Sequence, residues 1–122
     1  WFGSEGLFVY DLNGKLQWKK DLGVMNSGWF FDPDYEWGIA ASPIIYKDMV
    51  ILQVDIQKGS FIAAWDLKTG KERWRTPREE TSTWATPYVW QNSARTELVV
   101  CGRVKNRSYD LAGNLLWEFN GR

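Results

Sequence analysis

One short pattern occurs three times in this chain, and that repetition restricts its possible folds more than any other property. Leu7-Phe8-Val9-Tyr10-Asp11-Leu12-Asn13-Gly14 runs on to Trp18, and Phe61-Ile62-Ala63-Ala64-Trp65-Asp66-Leu67-Lys68-Thr69-Gly70 to Trp74. Ser108-Tyr109-Asp110-Leu111-Ala112-Gly113 does the same, ending at Trp117. Each copy has an apolar run closing on aromatic-Asp-Leu, a Gly turn, and a second short run reaching Trp. That is the signature of two strands and the hairpin between them. The Asp residues lie 55 and 44 residues apart, a period that belongs to solenoids and propellers.

A second repeat runs between copies of the first. Ala41-Ser42-Pro43-Ile44-Ile45-Tyr46 followed by Met49–Val54 matches Ala85-Thr86-Pro87-Tyr88-Val89-Trp90 followed by Leu98–Gly102. Proline opens each unit where a strand can begin without giving up a ladder donor. Each period thus reads as four antiparallel strands. Complete units are expected at 40–78 and 84–121, with residues 1–22 supplying half of another and 23–39 an inserted loop. Apolar positions alternate or run in fours and fives with no helical period, so the expected class is all-β.

The pattern Asp-Leu-x-(Thr)-Gly-Lys-x-x-Trp, preceded by a Ser/Thr-Pro-apolar strand pair, resembles the PQQ-like repeat of quinoprotein-type β-propellers. That family includes quinoprotein dehydrogenases and the propeller lipoprotein of the outer-membrane barrel-assembly machinery. The likeness spans residues 7–118, and Asp66–Trp74 matches most fully; the first and third copies are one residue shorter and lack the Thr. Trp65-Asp66 also suggests a WD repeat, but that family pairs it with Gly-His and this chain has no histidine. The resemblance implies a β-propeller fragment of about 2.5 four-stranded blades, where closure takes about four to eight. It implies a periplasmic or extracellular setting. A parent chain about three times longer and self-association of this piece are expected with it.

The repeat residues have a structural reading of their own. Asp11, Asp66 and Asp110 are placed to accept hydrogen bonds from turn N–H groups, and Gly14, Gly70 and Gly113 to supply positive φ. Trp18, Trp74 and Trp117 read as plates between neighbouring sheets, which pack about 10 Å apart. Cys101, the sole cysteine, falls in the expected strand 98–102 and reads as a small buried hydrophobe.

Charge excludes some partners. Fifteen basic and fifteen acidic residues balance, giving no electrostatic case for nucleic acid. No apolar run reaches the length of a spanning helix. Absence of histidine removes the common zinc sites and the Ser-His-Asp triad. No catalytic motif is identifiable. The family resemblance leaves pyrroloquinoline quinone (PQQ) with calcium as the cofactor of an alternative, oxidoreductase reading; dehydrogenases of the family commonly add a vicinal disulfide, which one cysteine cannot form.

The departure from the repeat lies between Trp18 and Pro43, which are 25 residues apart where Trp74 and Pro87 are 13 apart. The insertion includes Trp29, Phe30, Phe31, Asp32, Asp34, Tyr35, Glu36 and Trp37. It sits on the face where propellers usually bind ligands. Asp32, Asp34 and Glu36 alternate in a spacing that an oxygen-ligated cation can use. The aromatics could instead form a platform for a protein, peptide or saccharide, or pack on themselves as an Ω-like loop. Arg78 and Trp84, in the shorter equivalent loop, are expected to border the same face.

Overall fold

A computed structural model describes residues 5–28, 32 and 34–121. It is all-β, with ten strands in three antiparallel sheets of two, four and four. Strands β1 (Gly6–Tyr10) and β2 (Leu16–Asp21) form the first. In the second, β3 (Ile44–Tyr46), β4 (Met49–Val54), β5 (Phe61–Asp66) and β6 (Glu72–Pro77) lie side by side in chain order. The third repeats that meander with β7 (Tyr88–Gln91), β8 (Thr96–Val100), β9 (Lys105–Tyr109) and β10 (Leu115–Asn120).

Burial explains the stacking order. All six residues of β4 are buried, as are the middle four of β5, so the second sheet is covered on both faces. Side chains alternate across a strand. Val50, Leu52, Val54, Ala63 and Trp65 accordingly meet Leu7 of the first sheet together with Met25, Ile39 and Ala41 of the inserted segment. From the opposite face, Met49, Ile51, Ile62 and Ala64 meet Leu98, Val100 and Tyr109 of the third sheet. Outer strands β2 and β6 are exposed or half-buried throughout, which matches their Lys and Arg content.

The three repeat hairpins share one register. Trp18 pairs with Val9, Trp74 with Ala64 and Trp117 with Ser108, in each case two residues before the repeat Asp. Each hairpin carries a bulge beside that Trp, and the longer middle copy absorbs its extra residue in the turn. Asp11 Oδ1 accepts from the N–H of Asn13 and Lys15, Asp66 Oδ1 from Lys68 and Thr69, and Asp110 Oδ1 from Ala112 and Asn114, all at 2.8–3.0 Å. Gly14, Gly70 and Gly113 have φ of 79°, 68° and 84°, where a β-carbon is strained.

Two tryptophans join sheets and the third does not. Trp18 Nε1 donates to the Leu67 carbonyl (2.8 Å) and Trp74 Nε1 to the Leu111 carbonyl (2.9 Å), each on the next sheet. Their rings cover the glycine of that sheet's turn. A Cβ added at Gly70 would lie 2.7 Å from Trp18 Cδ2, and one at Gly113 would lie 2.5 Å from Trp74 Cε3. Trp117, expected between sheets, bonds within its own sheet instead: its Nε1 donates to Glu97 Oε2 (2.7 Å) and its ring stacks on Phe119.

Candidate functional site

Because all neighbouring strands are antiparallel, the connections sort onto two ends. The repeat turns 11–15, 67–71 and 110–114 share one end with the short turns 47–48 and 92–95. The connections 22–43, 55–60, 78–87 and 101–104 share the other.

A buried ion pair anchors the loop end. Arg78 Nε donates to Asp55 Oδ1 (2.8 Å) and Nη2 to Oδ2 (3.2 Å), with both side chains fully buried. Arg78 Nη1 reaches Tyr109 Oη (3.2 Å), so the pair spans the second and third sheets. Gln53 Nε2 and Thr83 Oγ1 each donate to Asp55 Oδ2 (2.6 Å), and Gln53 Nε2 also donates to the Cys101 carbonyl (2.9 Å). Burial works against the Arg78 charge, but the Asp55 carboxylate outweighs it and raises the guanidinium pKa. Arg78, expected from the sequence to border the loop face, is therefore a fully buried joint that also reaches the third sheet.

Glu80 makes a second joint. Its oxygens accept from the N–H of Val104 (3.0 Å) and Lys105 (2.9 Å) and from Arg107 Nη1 (2.5 Å). Burial pushes its pKa up, and these three donors more than reverse that shift. Arg107 also donates to Glu118, which pairs with Lys105.

Beside these joints lies a cavity of about 410 Å³, lined by Ser82, Thr83, Trp84, Ala85, Cys101, Gly102 and Arg103. Trp84 donates from Nε1 to the Gly38 carbonyl (3.3 Å), and Trp37 lies against it at 5.8 Å between ring centroids. Both indoles keep substantial exposure, 57% for Trp37 and 39% for Trp84. Two of the aromatics expected at this face, Trp37 and Trp84, therefore lie side by side. Ser82 Oγ is buried at the cavity wall without a hydrogen-bond partner among the described residues, the kind of group a water or ligand atom satisfies. Cys101, expected in a strand and buried, follows the end of β8 and is exposed in this wall. The apolar run Leu98–Val100 disguised the loop that begins directly after it.

The remaining inserted residues are used locally. Gly28 and Glu36 form an isolated bridge, and the Trp37 N–H donates to the Ser27 carbonyl (3.1 Å). Asp32 Oδ1 accepts from the Asp34 N–H (3.1 Å), while Glu36 Oε1 accepts from Asn26 Nδ2 (2.7 Å). Asp32, Asp34 and Glu36 are not brought together, and no group of three potential metal ligands occurs among the described residues. Tyr35 is exposed. Trp29, Phe30 and Phe31 lie outside the described residues.

Sequence reasoning placed Trp37 and the loop ending at Trp84 on this face but missed the second wall of Cys101, Gly102 and Arg103. Gly102-Arg103-Val104-Lys105, a Gly and two cations interrupting an apolar run, was the available signal for the second wall. No helix long and apolar enough to cross a membrane occurs among the described residues. No family model and no curated protein sequence matches this chain.

Proposed function

We propose that this chain is part of a β-propeller built from PQQ-like repeats and that it acts as a non-catalytic binding module, holding an apolar or aromatic side chain of a peptide partner at its loop end. Three sheets stacked face to face, each joined to the next by the same Trp and Gly turn, support the propeller reading. That resemblance is also the ground for a periplasmic or extracellular location.

The cavity beneath Trp84 carries the binding reading. At about 410 Å³ it falls within the usual size range of ligand pockets. A large indole wall, the Ala85 methyl and the Cys101 thiol suit an apolar group, and Ser82 offers one polar contact. Trp37 extends the surface outward for residues flanking the anchor. Arg78 and Glu80 hold the loop that carries Trp84 without using mobile charged groups, which keeps the platform pre-formed.

The sole cysteine supplies a reporter. A short polar peptide with one central tryptophan should slow modification of Cys101 by a thiol reagent and shift the Trp84 indole N–H resonance. The same peptide with alanine at its centre should do neither, and Trp84→Ala should abolish both effects. Protection by cellobiose and not by the peptide would replace the reading with a saccharide site. Cofactor absorbance and dye-linked alcohol oxidation on adding PQQ and calcium would replace it with the oxidoreductase reading.

A further inference from the structure

The charges of this chain balance in total but not in place. Connections at the turn end hold five cations and three acids, whereas those at the loop end hold six acids and three cations. Two of the loop-end acids are neutralised inside the fold, Asp55 by Arg78 and Glu80 by Arg107. What remains there is Asp32, Asp34, Glu36 and Glu79 against Lys58 and Arg103, an acidic excess. The inserted connection 22–43 is its main source, with three acids and no Lys or Arg.

Trp37 belongs to that same segment, directly after Glu36, and is exposed beside Trp84. Both indoles lie on connections that join one sheet to the next, within the chain and not at its ends. An aromatic face attracts cations through its quadrupole, and tryptophan does so best. The chain makes this contact with its own residues: the Arg75 guanidinium lies 4.0 Å from the Phe61 ring centroid, and that of Arg78 lies 5.9 Å from the Tyr109 centroid.

An exposed indole and an acidic excess select the same chemistry. We infer that the partner segment held at the loop end is basic, with an arginine next to its apolar anchor stacked on the Trp37 ring in the field of Asp34 and Glu36. This deepens the peptide reading above and rests on it. Arginine suits the place better than lysine, because a guanidinium is planar, stacks on rings and is more weakly hydrated than an ammonium. The carboxylates act at longer range, about 8 Å at physiological ionic strength. Their field speeds the arrival of a cationic segment and opposes an acidic one.

Three peptides test this: Ser-Gly-Arg-Trp-Arg-Gly-Ser, and the same sequence with Gln or with Glu at both arginine positions. Binding is followed by protection of Cys101 and by the Trp37 indole N–H resonance of the isotope-labelled chain. In about 20 mM salt the arginine peptide should bind about tenfold tighter than the glutamine peptide, and the glutamate peptide weaker again. In about 500 mM salt the gap should narrow to about threefold, which is the ring contact that survives screening. Asp34→Asn/Glu36→Gln, at exposed positions, should keep the wild-type melting temperature and the affinity for the glutamine peptide while weakening the arginine peptide at low salt. Trp37→Leu should remove the preference that remains at high salt. Equal affinity of the three peptides, each protecting Cys101, overturns the inference and leaves the apolar-anchor reading standing. An arginine preference undiminished in both variants overturns it as well. Protection by none of the three sinks the apolar-anchor reading, and the inference falls with it unless an arginine peptide with alanine at its centre still shifts the Trp37 resonance.

Discussion

At the turn end, Asp11, Asp66 and Asp110 repeat one hydrogen-bond scheme and two of the three turns receive a tryptophan. At the loop end, the connections 22–43, 55–60, 78–87 and 101–104 differ in length and in partners. One end joins sheets by a small apolar and hydrogen-bonded device used repeatedly. The other joins them by buried charges used once each: Asp55 with Arg78, and Glu80 with Arg107. The difference separates what keeps the sheets stacked in general from what shapes a particular surface. The platform of Trp37 and Trp84 and its cavity lie where the connections vary.

The sharpest way to break this comparison is to remove one partner of the buried pair. Arg78→Met should cost about 3–5 kcal/mol, because Asp55 is left as an uncompensated buried charge. Thermal unfolding of this variant and of the double variant Arg78→Met/Asp55→Leu checks it. The double variant should recover much of the loss. A melting temperature unchanged in Arg78→Met would mean that the loop end contributes little to joining the sheets.

A smaller effect sharpens the comparison at the turn end, where two glycines of positive φ differ in what covers them. Gly14→Ala should cost about 1 kcal/mol from strain at positive φ. Gly70→Ala should add about 1–3 kcal/mol from overpacking, since the new methyl collides with the Trp18 ring. Denaturant unfolding of both variants measures the difference. Equal losses would show that Trp18 does not bear on Gly70.

The turn end was legible in the sequence because its chemistry is local. Asp, Gly and the paired strand lie within ten residues, and repetition revealed the positions that matter. The loop end was not legible, because its partners meet only once non-adjacent strands are side by side and sheets are stacked. Asp55 follows β4 and Arg78 follows β6, with nothing nearby in the sequence to show that they face each other. Alternating acids at Asp32, Asp34 and Glu36 looked like a ligand set, yet Asp32 accepts from the next turn N–H and Glu36 from Asn26. Trp117 looked like its two counterparts, but a residue's covering depends on what lies beyond its own sheet.

The smallest expected effect concerns acid. Glu97 accepts from Ser108 Oγ (2.6 Å), Arg95 Nε (2.8 Å), Trp117 Nε1 (2.7 Å) and Asn92 Nδ2 (3.2 Å). These donors, the Ser108 hydroxyl first, lower its pKa from 4.5 to about 2. A carboxylate depressed on folding stabilises the folded state fully above its unfolded pKa. That contribution declines as pH falls from about 4.5 through about 2. Glu97→Gln should therefore lower the melting temperature at neutral pH and narrow its gap from wild type across that window. A gap that stays constant from pH 7 to about 2 would remove Glu97 from the acid response.

A junction made from one tryptophan and one short turn also bears on how such a chain can change its length. Neither part depends on the identity of the neighbouring unit, only on its presence. A gene duplication or deletion that copies or removes a whole unit, from the turn of one repeat to the turn of the next, leaves every remaining junction with both parts. A cut elsewhere separates a tryptophan from its turn. Recombination is thus tolerated at one phase of the repeat, and unit number can drift while the loops at the far end diversify independently.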